Sequence, residues 1–356
     1  MKSRLKKVAR VLIEKGHDAM LVLRPENMYY LSGFSGSTGA LLVARANSYL
    51  CVDFRYIEQA QRESPHLEIV LVKETIPAAI AELREKLRFN TLGFETDYIN
   101  CKLLFNLREK LPGVETLPMD GVIEEQRQVK DRTELAAIAQ AMAMLDRGYD
   151  YICGHIKPGV SERDISLELE MFMRRRGASG TSFPFIIASG PRSSLPHGEA
   201  SAKKIRQGDI IMLDFGVVMN HYNSDMSRTI ALGKPPPEMR KIYDLVLEAQ
   251  LAGLNAIKEG VTASAVDKAA RSVIEAHGYG DYFGHGTGHG VGLAVHERPR
   301  LSPRDDTVLK AGMVVTVEPG IYLPGRGGVR IEDSVVVEKY GCRLLTKAPK
   351  NSLVEI

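Results

Sequence analysis

The chain has few cysteines, four in 356 residues, and none of them stands at Cys-x-x-Cys spacing. Cys51, Cys101, Cys153 and Cys342 are scattered, which excludes a disulfide framework and a thiolate zinc site and suits a reducing, cytoplasmic setting. Long hydrophobic runs are also missing. No stretch of about 18 apolar residues occurs, so the sequence offers no membrane-spanning helix. An excess of one charge is lacking too. Lys and Arg number 47 against 44 Asp and Glu, a net +3, too near balance to argue for nucleic acid or an anionic membrane as partner. The one basic cluster, MKSRLKKVAR, reads as the solvated face of an opening helix rather than a targeting segment, because Glu14 and Asp18 follow at once. What is present is an ordinary globular mixture, 44% hydrophobic and 26% charged, able to bury a core. Its length suggests two domains, or three.

The first part alternates. A helix pattern near 3–15 leads to a strand near 18–24; GFSGSTGALLV feeds a second strand and SYLCVDFR forms a third; a helix at 76–88 precedes the strand TLGFE. That alternation predicts an α/β unit, a sheet with helices packed on it. Composition shifts in TLPMDGVIEEQRQVKDRTEL, first to Pro and Gly and then to dense charge. The boundary is placed there, giving domains 1–123 and 124–356. The second domain opens with a long helix near 132–153. Another starts at Ser161, a candidate N-cap with Asp164 three residues on. Helices at 237–259 and 263–277 are interleaved with the strand-rich stretches FPFIIAS, DIIMLDFGVV, SRTIAL, GMVVTVE and GVRIEDSVVV, an α+β pattern.

Two of those stretches are hairpins that carry acids. In DIIMLDFGVVMNHYNSDMSRTIAL, Asp214 and Asp225 are symmetric about a point between 219 and 220. They should therefore lie opposite or nearly so across an antiparallel pair. Like charges so placed destabilise a sheet, and a cation between them reverses the sign. In GMVVTVEPGIYLPGRGGVRIEDSVVV, Glu318 and Glu332 are symmetric about Gly325. Both sit in apolar, β-branched runs, where an unpaired carboxylate would cost several kcal/mol to bury. Strand period two puts Arg330 on the face of Glu332.

Four of the nine histidines, His197, His285, His289 and His296, fall in Gly- or Pro-marked segments: LPHGE, GHGTGHGVG and AVHERP. In GHGTGHGVGL, glycine occupies every even position from Gly284 to Gly292. If the segment is extended, every side chain from His285 to Leu293 shares one face, and the bare face lets a neighbouring backbone approach closely. One imidazole and four carboxylates form a donor set for Mn²⁺, Co²⁺, Fe²⁺ or Zn²⁺. Four acids supply too much negative charge for one dication and suit two, with bridging carboxylates. Such a pair, about 3.5–4 Å apart, holds a hydroxide near neutral pH and clamps an oxyanion, the chemistry of amide or ester hydrolysis.

The order Asp214, Asp225, His289, Glu318, Glu332, with these surroundings, resembles the metallopeptidases of the methionine aminopeptidase, aminopeptidase P, prolidase and creatinase group, which share the "pita-bread" fold. LPHG, LDFG…SDMSRT, GHGTGHGVGL…HE, VEPGIY and RIEDSVVV carry the likeness over about 124–356. The N-terminal third resembles the creatinase-type domain of aminopeptidase P and prolidase. The resemblance implies that Asp214 chelates one metal, that His289 and Glu318 bind the other, and that Asp225 and Glu332 bridge both. It implies two divalent ions, Mn²⁺ foremost with Co²⁺ or Zn²⁺ as alternatives. His296 would stabilise the tetrahedral intermediate or shuttle a proton, His197 would contact substrate, and His285 would line a proline pocket. Tyr322 and Arg330 match supporting positions, and Glu318 would double as acid/base. The ligand pattern is intact, which argues against creatinase.

The implied substrates are peptides with proline second, cleaved Xaa-|-Pro, by a homodimer. Aminopeptidase P acts on longer peptides, prolidase on dipeptides; the compact length resembles small members of both kinds, and the reading leans slightly to the former. A prolidase needs a cation for the free carboxylate of its dipeptide, and RPRLSPRDD offers Arg298, Arg300 and Arg304. A non-catalytic binding module of the same fold is the reading from another class. LDFG is no kinase signature, since neither a Gly-rich nucleotide loop nor an HRD-type loop accompanies it.

Overall fold

In a computed structural model describing residues 1–356, the chain divides into two units, Met1–Arg127 and Gln128–Ile356. In the first, six strands form one mixed sheet in the order Glu68–Leu71, Ser48–Val52, Ala40–Ala44, Ala19–Val22, Thr91–Phe94, Glu115–Pro118. Ala19–Val22 is central and buried along its whole length, which accounts for its unbroken apolar run. Helix Lys2–Glu14 buries Leu5, Val8 and Leu12, the 3.6-residue stripe of a surface helix. Helix Ile76–Leu87 buries Ala79, Ile80 and Leu83. The sequence reading passed over helix Cys101–Lys110 and the strands Glu68–Leu71 and Glu115–Pro118. The helix buries only Leu107, and both strands are half-exposed sheet edges, so none carries a strong periodic signal. The division falls at Arg127, whose Nη1 donates to Asn27 Oδ1 at 2.7 Å within the first unit.

The second unit is α+β. Helix Arg132–Cys153 starts on a capping box at Asp131 and Glu134, and helix Glu162–Arg174 on one at Ser161 and Asp164. Helices Pro237–Ala256 and Ala263–Ala276 pack against each other and cover two buried clusters. One centres on Ile242, Val246, Ile321 and Val329, the other on Val266, Val315, Val335 and Val337. A four-stranded sheet runs Val354–Glu355, Met226–Ala231, Ile210–Phe215, Ile186–Ser189. A five-stranded one runs Glu297–Leu301, Gly288–Gly290, Val314–Val317, Asp333–Glu338, Gly341–Leu344. The long hairpin that leaves Val314–Val317 continues as a separate pair, Gly320–Leu323 with Gly327–Arg330. No helix is long and apolar enough to cross a membrane.

Candidate active site

The two acid-bearing hairpins meet in one cavity of about 570 Å³. Asp214 is the penultimate residue of strand Ile210–Phe215 and pairs with Ser227, so Asp225 is its diagonal neighbour on the same face rather than its direct partner. The hairpin turns at Asn220 and His221, both at positive φ (50° and 69°), one residue later than the symmetric reading. That two-residue turn matches the twist of paired strands. In the second hairpin, Val317 pairs with Asp333 and Gly320 with Arg330. One register holds on both sides and brackets Glu318 with Glu332.

His289 stands between the hairpins. Its Nδ1 lies 3.0 Å from Gly290 O. A carbonyl only accepts, so Nδ1 carries the proton and Nε2 is left to face the acids. Nε2 is 3.3 Å from Glu318 Oε1 and 3.5 Å from Asp225 Oδ2. The ligand atoms of Asp225, His289 and Glu332 all lie within 4.8 Å of one another. Glu332 and Asp214 are each braced on one side only. Ser227 Oγ donates to Glu332 Oε2 at 2.8 Å, and Arg330 Nη2 donates to Asp214 Oδ2. Glu332 Oε1 and Asp214 Oδ1 are buried with no hydrogen-bond partner. Orphaned buried oxygens are costly and call for a missing partner.

The electrostatics agree. Burial drives the carboxyls up, and their mutual repulsion adds to it: Asp214 to about 7, Glu332 well above the carboxylate range, Asp225 upward. Glu318 is the exception. Burial would raise it, but its hydrogen bond to His289 and that ring's charge bring it down to about 2. His289 is raised well above its usual value, because its carboxylate partners outweigh the burial that opposes its charge. A proton on His289 thus stands where the donor set would take a dication. Four inward acids, one imidazole and two orphaned oxygens fit borderline-hard divalent ions.

A second row backs the first. His285 Nδ1 lies 2.8 Å from Gly286 O, so its Nε2 accepts from Tyr322 Oη at 2.8 Å. Arg330 Nη1 donates to the same Oη at 2.8 Å, and Arg330 Nε to Ser227 Oγ at 2.8 Å. Burial keeps His285 neutral and pushes Tyr322 up to about 12. His296 packs edge-on to His289, ring centroids 4.3 Å apart. Desolvation and the charge of His289 push it down to about 4, so it is neutral at working pH.

His197, His285, His296, Arg300, Arg330 and the five expected ligands line this cavity; Tyr322 stands behind His285 and Arg330, and of the three arginines in RPRLSPRDD only Arg300 reaches the wall, Arg298 and Arg304 lying off it. Sequence reasoning missed its apolar wall, Phe183, Pro184, Ile186 and Pro196. It also missed Glu199, two residues past His197 in the LPHGE segment it had singled out. The single extended strand expected for GHGTGHGVGL is not formed. Only Gly288–Gly290 is strand, and Thr287 turns away to bond Asp267 through N (3.0 Å) and Oγ1 (2.9 Å). His285 and His289 nonetheless face the same cavity. The close approach is real: a Cβ on Gly288 would collide with Thr316 O, and one on Gly290 with Arg298 O.

Residues 136–339 match the profile of Metallopeptidase family M24, and residues 4–129 that of the Creatinase/Prolidase N-terminal domain. The chain is 41% identical over 360 residues to a Xaa-Pro dipeptidase of Pyrococcus furiosus, covering 99% of this chain and 100% of that one. A solved Xaa-Pro dipeptidase from Bacillus anthracis is similar at TM-score 0.97 and 42% identity, covering 99% of each chain. An X-Pro aminopeptidase from Thermotoga maritima is similar at TM-score 0.90 and 37% identity, covering 95% of this chain and 98% of that one.

Proposed function

The chain belongs to metallopeptidase family M24, and we propose that it hydrolyses the peptide bond before a penultimate proline with two divalent metal ions. The observation that carries this is the pair of orphaned oxygens, Asp214 Oδ1 and Glu332 Oε1, in the cavity where His289 faces Asp225 and Glu318. In this reading Asp214 would hold one ion, His289 and Glu318 the other, with Asp225 and Glu332 shared between them. Such a pair would supply Lewis acidity and make a water easier to deprotonate; the rest is the work of this chain. Glu318 takes and returns the proton of the attacking water. His296, kept neutral, donates to the developing oxyanion, and His197 contacts substrate near the scissile bond. His285 lines the proline pocket, held by Tyr322 and Arg330. Manganese suits the oxygen-rich donor set; a homodimer belongs to the same reading, as does a cytoplasmic setting, which the four free thiols suit.

Within the class, the dipeptidase reading displaces the initial lean toward longer peptides. The relatives from Pyrococcus furiosus and Bacillus anthracis are named Xaa-Pro dipeptidases. Arg300 on the cavity wall offers a cation for a free carboxylate. The intact donor set opposes a non-catalytic module. The test is hydrolysis of Ala-Pro against Ala-Pro-Ala by the Mn²⁺-loaded protein, with metal analysis alongside. Cleavage of Ala-Pro alone is expected. Comparable tripeptide turnover would assign aminopeptidase P activity, and no hydrolysis of either by the loaded protein would overturn the peptidase reading.

A further inference from the structure

Glu162 lies outside the acid cluster, yet its side chain is completely buried. It opens helix Glu162–Arg174, where an acid is ordinary. Its contacts are not. Oε1 accepts from Ser189 N and Ser189 Oγ, both at 2.8 Å. Oε2 accepts from Ser201 N at 3.2 Å and Ser201 Oγ at 2.6 Å, and it pairs with Arg192 Nη1. Ser189 ends strand Ile186–Ser189, so one carboxylate clasps the entry and the exit of segment 190–200. Arg192 closes the clasp from inside, Nη2 donating to Glu199 O at 2.9 Å.

That segment brings Pro196, His197 and Glu199 to the cavity. The His197 ring is exposed, so its place depends on the backbone that carries it. That backbone is tied by Gly198 N to Leu195 O at 3.0 Å and by Arg330 Nη1 to Pro196 O at 3.1 Å. Glu162 bonds both ends of the segment. A charge-assisted bond is roughly twice as strong as a neutral one, and here several converge on one desolvated carboxylate.

We propose that Glu162 is a positioning residue for His197: its buried carboxylate closes segment 190–200 and thereby sets where His197 stands against bound substrate. This rests on the reading of His197 as a substrate contact. The test is a double-mutant cycle on Ala-Pro hydrolysis by the Mn²⁺-loaded full chain, using Glu162→Gln and His197→Ala. Glutamine keeps the size but turns an amide donor toward donors. Glu162→Gln is expected to lower kcat/KM about 10- to 100-fold in the wild-type background and less than about twofold in the His197→Ala background. Bound metal per chain should be unchanged in all four proteins. Equal losses in both backgrounds, or loss of metal, would make Glu162 a general structural support and overturn the inference. Full activity of His197→Ala would overturn the reading of His197, and this inference with it. If Glu162→Gln does not fold, Ser201→Ala takes its place. It removes one donor, and about a threefold loss that vanishes in His197→Ala is expected; no loss, or an undiminished one, overturns the proposal.

Discussion

Arg330 and Asp214 form an ion pair that is buried on both sides, 4% and 11% exposed. The guanidinium does four things at once: it braces one oxygen of Asp214, bonds Ser227 Oγ, donates to Tyr322 Oη and holds Pro196 O. A lysine cannot supply that fork. Arg330→Lys is therefore expected to lower metal affinity or kcat/KM by about 10- to 100-fold, the usual effect of losing the support behind a metal ligand. Metal titration and steady-state kinetics on Ala-Pro would check it. Wild-type values in both would show that Asp214 needs no brace.

Metal uptake should compete with protons. Without metal, burial and neighbouring acids hold protons on Glu332 and on Asp214, the latter to about 7, and the acids hold one on His289. A dication must displace them, so lowering the pH favours the metal-free site. Apparent affinity is expected to fall from pH 8 to pH 6 by about tenfold per pH unit for each proton displaced. Calorimetry in buffers of different ionisation enthalpy counts the protons released; an affinity flat across this range would contradict it.

Two glycines of one motif should differ sharply. A Cβ on Gly288 would run into the backbone carbonyl of Thr316, whereas one on Gly284 meets nothing within 4 Å. Backbone cannot step aside as a flexible side chain does. Gly288→Ala should push strands Gly288–Gly290 and Val314–Val317 apart, displace His289 and cost about 2–4 kcal/mol of stability with loss of metal. Gly284→Ala should be near neutral. Thermal melts and metal analysis of the two variants decide.

Glu318 and Glu332 were legible as a facing pair because strand period and hairpin symmetry are local rules, and the 314–338 hairpin keeps one register throughout. Arg330 followed from period two. The diagonal offset of Asp214 and Asp225 was not legible. It depends on Asn220 and His221 both taking positive φ, which no glycine announces. Thr287 was misplaced because its partner, Asp267, comes from a helix 20 residues earlier. Glu162 was invisible for the same reason. In sequence it is an acid in a first helical turn, and only the fold brings Ser189 and Ser201 to it.

Arg228 and Asp333 pair at 2.7 Å directly behind Glu332, each 1% exposed. Arg228 also donates to Ser227 O, Glu332 O and Ala348 O, while Asp333 accepts from Gln250, Thr346 and Lys350. Removing one charge strands the other. Asp333→Asn should cost about 3–5 kcal/mol, read as a Tm lowered by about 10 °C. The pH dependence has a definite sign. Burial would raise Asp333, but Arg228 and Lys350 hold it below the usual carboxylate value. Its contribution is then fully present above the unfolded pKa, about 3.9, and is lost as pH falls through the lower folded value. The stability gap between wild type and Asp333→Asn should be widest near neutrality and narrow below about pH 4. Denaturant melts of the metal-free proteins across that range would test it, and a gap that stayed constant would mean that the charge of Asp333 is not what stabilises the site's floor.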